Sequence, residues 1–208
     1  MSDHEDLPSV PPDEALRRLI AGNDRFRRGE SHWSGITPAA LADLTAGQRP
    51  FATILGCSDS RVPPEIIFDA GVGDLFVVRV AGNIISADVA GTIQYAGSHL
   101  QTKLFVVLGH EGCGAVAAAL QTVIHGTQHK SRIHLLVESI VPAVAGIDPA
   151  LPPDAQLSRA VERNVRWSVR QIAESPEGAA RVAAGGVKLV GAVYEIQSGR
   201  VRILDDEP

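Results

Sequence analysis

The sequence holds two cysteines, Cys57 and Cys113, and both stand just past short apolar runs. FATILG (51–56) leads into Cys57-Ser58-Asp59-Ser60-Arg61, and LFVVLG (104–109) leads into His110-Glu111-Gly112-Cys113-Gly114. Two thiolates and an imidazole make a good zinc set. Three protein ligands leave the fourth tetrahedral position for water or substrate, the mark of a catalytic rather than a structural site. Glycines at 109, 112 and 114 let the chain turn tightly around the His-x-x-Cys pair. Taken alone, His-x-x-Cys is a weak signal. A cysteine closing a buried strand is commonly a small core residue, and a Cys57–Cys113 redox pair would use the same two thiols. The coincidence favours a metal: both cysteines fall at strand ends, and one has a histidine at a ligand-like offset.

Asp59 and Arg61 lie two and four residues beyond Cys57. A charged pair at a strand end is often a surface salt bridge of small worth. Beside a metal it means more. Two thiolates cancel the charge of Zn²⁺, so a bound water is acidified less than in a three-histidine site, where its pKa falls to about 7. A carboxylate can accept that water's proton, and an arginine can fix the carboxylate in place. Asp59 can equally bind the metal itself and close the site.

These residues need a scaffold that brings two distant segments together. FATILG, LFVVRV (75–80), LFVVLG and VKLVGAVYEI (187–196) are short runs rich in β-branched residues, bounded by glycine, proline or charge. Such runs without alternation suit strands buried on both faces. Helical character lies between the later ones, at 87–100, 114–124, 132–145 and 155–173, with a proline-rich loop at 146–154. Alternation of this kind implies a mostly parallel sheet covered by helices. Ligands bind outside the carboxyl ends of the strands in such sheets, where Cys57, His110 and Cys113 fall if the two strands are neighbours. Residues 187–196 and 200–204, joined through Ser198-Gly199, form a terminal antiparallel hairpin. The run from Pro12 places Leu16, Leu19, Ile20 and Phe26 near helical spacing, opened by proline and acids and closed by Gly29. A second short helix falls at 38–46.

The chain is expected to be α/β, with a mostly parallel central sheet flanked by helices, an N-terminal helical arm (12–46) and a C-terminal antiparallel hairpin. It reads as one domain over 12–204, preceded by a disordered 1–11 and followed by an acidic tail, 205–208. With 208 residues, 45% of them hydrophobic, it can bury a single core. A formal net charge of −5 gives no basic face for nucleic acid. Arg17-Arg18 and Arg27-Arg28 read as a solvated helix face. No stretch approaches the roughly 18–20 apolar residues of a membrane span, and the acidic start lacks the basic and apolar regions of a secretory signal. The expected location is cytoplasmic. Two cysteines in a chain of this size also argue against a disulfide scaffold.

CSDSR followed about fifty residues later by GHxxCG resembles the β-class carbonic anhydrases. The resemblance covers most of the chain, including VPPEIIFDAGVGDLFVVRVAGN and the closing GGVKLVGAVYEIQSGRVRIL. It implies one Zn²⁺ per chain on Cys57, His110 and Cys113, with Asp59 and Arg61 as the family's Asp–Arg dyad. In that family a hydroxide held on zinc attacks CO₂ to give bicarbonate, and a proton must leave to regenerate it. Gln48 matches the position where plant-type members place a glutamine that hydrogen-bonds the substrate. Phe76 and Tyr95 match aromatic positions lining the pocket, typically supplied across a dimer interface. Tyr95 and His99, one helical turn apart, match a pair proposed as proton relay. A helix histidine such as His99 is equally well a plain buried or surface residue.

The resemblance also implies the β-carbonic anhydrase fold and self-association, as a homodimer or a homotetramer, with the N-terminal helices wrapping the partner subunit. Trp33 and Gly35 superficially resemble a second, inhibitory bicarbonate site of some bacterial members. They lie too far before Cys57 to align, and Gln48 favours the open, plant-like arrangement with water as fourth ligand. Glu111, where many relatives carry a small residue, either tunes the site or faces solvent. Turnover of carbonyl sulfide or carbon disulfide, and a non-enzymatic zinc-binding role, are the competing readings. The intact CSDSR favours CO₂ hydration over the former, and the latter needs no open fourth position and no dyad.

Overall fold

The computed structural model describes residues 9–32 and 37–205. The stretches 1–8, 33–36 (with Trp33 and Gly35) and 206–208 lie outside the described residues, so most of the 1–11 segment expected to lack structure, most of the acidic tail and the tryptophan–glycine comparison fall there. In chain order come α1 (Pro12–Arg28), α2 (Pro38–Leu44), β1 (Ala52–Gly56), α3 (Pro64–Ile67), β2 (Leu75–Arg79), a 3-10 turn (Ala81–Asn83) and α4 (Ala87–Ser98). Then follow β3 (Leu104–His110), α5 (Gly114–His125), α6 (Ser131–Val144), α7 (Pro153–Glu174), α8 (Pro176–Ala184), β4 (Lys188–Tyr194) and β5 (Val201–Ile203).

The strands form one sheet in the order β2-β1-β3-β4-β5. The first four are parallel, and β5 returns antiparallel to β4, with Val193 opposite Arg202. Every residue of β1 and β3 is buried, which is why these central strands read as unbroken apolar runs. The edge strand β2 is half-buried.

The structure adds elements absent from the sequence reading. Helix α8 buries none of its residues. It is started by Ser175, whose Oγ accepts the Gly178 N–H at 3.0 Å, a side-chain cap of the usual kind. The four-residue α3 and the 3-10 turn are too short to show periodicity.

The first helix of the arm packs on its own chain. Ala15 and Leu19 are 0% and 1% exposed, and α1 contacts α3, β1 and β3. Asn23 pins it there: Nδ2 donates to the carbonyls of Ile67 (3.1 Å) and Gly199 (2.9 Å), and Oδ1 accepts the Val201 N–H at 2.9 Å. Arg25 Nε meets Asp69 Oδ2 at 2.5 Å, and Asp69 Oδ1 takes the His32 N–H. Replacing Asn23 by alanine strands three backbone groups, two of them at the hairpin. The expected loss is about 3 kcal/mol, read as a lower urea midpoint at unchanged slope.

Candidate metal centre

Strand β1 connects onward to β2 on one side, and β3 to β4 on the other. Where connections diverge in this way, a crevice opens at the carboxyl ends of the two middle strands. The ligand candidates stand at that point. Cys57 directly follows β1, His110 is the last residue of β3, and Cys113 is the residue preceding α5. Gly112, at φ +64°, makes the reversal that brings Cys113 back beneath His110, a conformation side chains resist.

The ligand atoms of Cys57, His110 and Cys113 all lie within 4.8 Å of one another, and the three residues are 4%, 1% and 2% exposed. The two sulfurs are 4.0 Å apart. Two thiolates on a tetrahedral zinc at about 2.3 Å each stand about 3.8 Å apart, whereas a disulfide needs about 2.05 Å. Both cysteines are free. The Nδ1–H of His110 donates to the Glu111 carbonyl at 2.8 Å, which leaves Nε2 with its lone pair. That nitrogen is buried and has no hydrogen-bond partner among the described residues. A ring nitrogen fixed in this way, beside two sulfurs, is prepared for a metal ion.

The electrostatics agree. The hydrogen bond from Cys113 lowers the Cys57 thiol against the opposing effect of burial, helped by the Gly82 amide. Cys113 is pushed well up by the same bond, with burial adding to it. A metal cation between the two sulfurs would stabilise both as thiolates. Burial works against the charged form of His110, but the negative charge of the adjacent Cys57 thiolate outweighs it, and its pKa rises.

Asp59 and Arg61 are joined side by side. Arg61 Nε donates to Asp59 Oδ1 at 2.9 Å and Nη2 to Oδ2 at 2.7 Å. The Arg61 backbone N–H adds a third bond to Oδ1 at 3.0 Å. These bonds hold the Asp59 carboxyl well below the usual carboxylate range. Asp59 Oδ2 also lies 3.9 Å from His110 Nε2, so the dyad borders the cluster.

Sequence reasoning missed Arg79. It donates from Nε to the Cys57 carbonyl (2.9 Å) and from Nη2 to the Asp59 carbonyl (2.5 Å), clamping the loop that carries Cys57 and Asp59. The register match Gly56↔Arg79, visible only once strands are paired, is the signal for it. Glu111 does not simply face solvent: its carboxylate accepts the Ile196 N–H at 3.0 Å, and its own N–H donates to the Tyr194 carbonyl. It therefore staples the His110 loop to the end of β4.

The remaining predicted residues form no part of this cluster within the single chain. Gln48 is exposed in the coil between α2 and β1. Tyr95 is 46% exposed; it stacks on His99 at 4.7 Å between ring centroids and stands 6.2 Å from Phe76. His99 is exposed at the end of α4.

Residues 52–201 match the carbonic anhydrase family model. Carbonic anhydrase 2 of Mycobacterium tuberculosis is 40% identical over 203 residues, covering 96% of each chain. The β-carbonic anhydrase CcaA superposes with a TM-score of 0.74 at 30% identity, over 91% of this chain and 95% of that one. This chain belongs to the β-carbonic anhydrases. One of two tetrameric β-carbonic anhydrases from Sordaria macrospora gives the same TM-score, at 25% identity over 91% of this chain and 96% of that one. As an enzyme of this family the chain presents a Cys–His–Cys cluster able to hold a metal ion. Among the described residues no helix is long and apolar enough to cross a membrane.

Proposed function

We propose that this enzyme catalyses the reversible hydration of CO₂ to bicarbonate and a proton, using one Zn²⁺ held by Cys57, His110 and Cys113. The observation that carries the reading is the buried His110 Nε2, without a hydrogen-bond partner among the described residues and grouped with two free thiols beside the Asp59–Arg61 pair. When bound, zinc supplies Lewis acidity toward water at the position the three side chains leave open.

The chain's own residues supply the rest. Both Asp59 oxygens are engaged by Arg61, which supports the open, plant-like arrangement over one in which Asp59 binds the metal. A carboxylate held this far below neutral pH is a weak proton store, since a base works best with a pKa near the working pH. Its role is then to accept a hydrogen bond from the reacting water and orient it, with Arg61 keeping it charged. Tyr95 and His99, stacked and exposed, are the proposed relay that hands the proton to solvent. Gln48 and Phe76 are proposed to complete the substrate pocket in a homodimer, or in a tetramer such as the Sordaria protein forms. Two free thiols fit a reducing, cytoplasmic setting.

Stopped-flow measurement on the zinc-loaded protein is expected to show CO₂ hydration accelerated with kcat/KM of at least about 10⁴ M⁻¹s⁻¹, and carbonyl sulfide turned over far more slowly. No acceleration of CO₂ hydration would reject the proposal.

A further inference from the structure

Helix α7 carries two buried polar side chains on its core face, Asn164 (1% exposed) and Ser168 (0% exposed), next to the buried Val161 and Val165. One helical turn apart, they point the same way. Asn164 Nδ2 donates to the Gly82 carbonyl at 2.8 Å, and Ser168 Oγ donates to the Asn83 carbonyl at 2.9 Å. Both partners lie in the 3-10 turn that follows β2. Polar groups this deep are costly unless paired, and this pairing alone would make them ordinary struts.

Gly82 makes Asn164 more than that. Its carbonyl is held by Asn164, and its N–H donates to Cys57 Sγ at 3.4 Å. The residue sits at φ +70°, and a Cβ there would come within 2.6 Å of Ile140 Cδ1. Gly82 is thus wedged between α6, α7 and the metal-binding sulfur. We propose that Asn164 is a positioning residue for the metal centre: by fixing Gly82 it aims the amide N–H at the Cys57 sulfur. An N–H donor on a thiolate orients the sulfur and draws off part of its charge, and groups of this outer kind govern metal affinity. Where two thiolates already neutralise the ion, that withdrawal restores some of its Lewis acidity. The inference rests on reading Cys57 as a metal ligand.

The test compares Asn164→Asp (same shape, no N–H donor) and Asn164→Ala with Ser168→Ala, which removes an equally buried bond but leaves Gly82 held. Zinc affinity is measured by competition with a chelator, and the sulfur-to-cobalt charge-transfer band is read on the Co²⁺-substituted protein. Both Asn164 variants are expected to bind zinc about 10- to 100-fold more weakly and to show the band at longer wavelength, since a less hydrogen-bonded thiolate gives up charge more readily. Ser168→Ala should stay within about twofold of the parent, with its band unmoved.

Equal effects of Ser168→Ala and the Asn164 variants, or parental affinity in the latter, overturn the inference. Should the Asn164 variants not fold, the unmodified protein loaded with ¹¹³Cd decides: the Gly82 amide proton must show scalar coupling to cadmium through the sulfur, and its absence overturns the inference. A parent protein with no thiolate–cobalt band would instead refute the ligand assignment itself.

Discussion

Replacing Cys57 by alanine is expected to abolish zinc retention, leaving less than about a tenth of an ion per chain after dialysis, and to lower CO₂ hydration on the order of 1000-fold or more. Removing a group in the outer layer of a metal site costs about 10–100-fold, and a direct ligand costs more. Only His110 and Cys113 would remain, with the second ring nitrogen of His110 already committed to the Glu111 carbonyl. The fold should survive, because the Cys57 backbone is held independently: its carbonyl takes the Arg79 Nε–H. Circular dichroism separates metal loss from unfolding. A folded variant that still carries a full complement of zinc would mean that Cys57 is not a ligand.

Asp59→Asn should behave differently, keeping zinc while turnover falls on the order of 100-fold. Asparagine retains the shape but turns an amide NH₂ toward one of the Arg61 side-chain donors, so the paired bonds break and the negative charge beside His110 is lost. The pH dependence carries the sharper signature. Arg61 holds the Asp59 carboxyl below its ordinary range, so in the parent it stays charged at every pH above the usual carboxylate range of about 4. The ratio of parent to variant activity should then be flat from about pH 5 to 9, and should shrink only in more acid solution as Asp59 takes up its proton. A ratio that titrates near neutrality would make Asp59 a proton acceptor rather than an orienting group, and an unchanged rate would remove it from the reaction.

The sequence by itself determined the chemistry that is local along the chain. Cys57, Asp59 and Arg61 share one loop, and His110 and Cys113 share another, so their grouping needs only a few residues of chain geometry. The strands β1 and β3 were legible because burial on both faces demands unbroken apolar runs. The closing hairpin was legible because Ser198-Gly199 supplies its turn. Strand order was not legible, since parallel neighbours are joined through long crossovers that local patterning does not specify. That order places β1 beside β3 and turns two separate motifs into one cluster.

Only the tertiary structure decided what surrounds the cluster. Arg79 reaches back 22 residues to Cys57, Glu111 reaches forward 85 to Ile196, and Asn164 reaches back 82 to Gly82. A lone arginine, glutamate or asparagine carries no signal of such partners, because each bond exists only after helices have docked on the sheet. The candidate ligands are therefore written in residue type and short spacing. The orientation of those candidate ligands is written in long-range hydrogen bonds between side chain and backbone, which the fold alone creates.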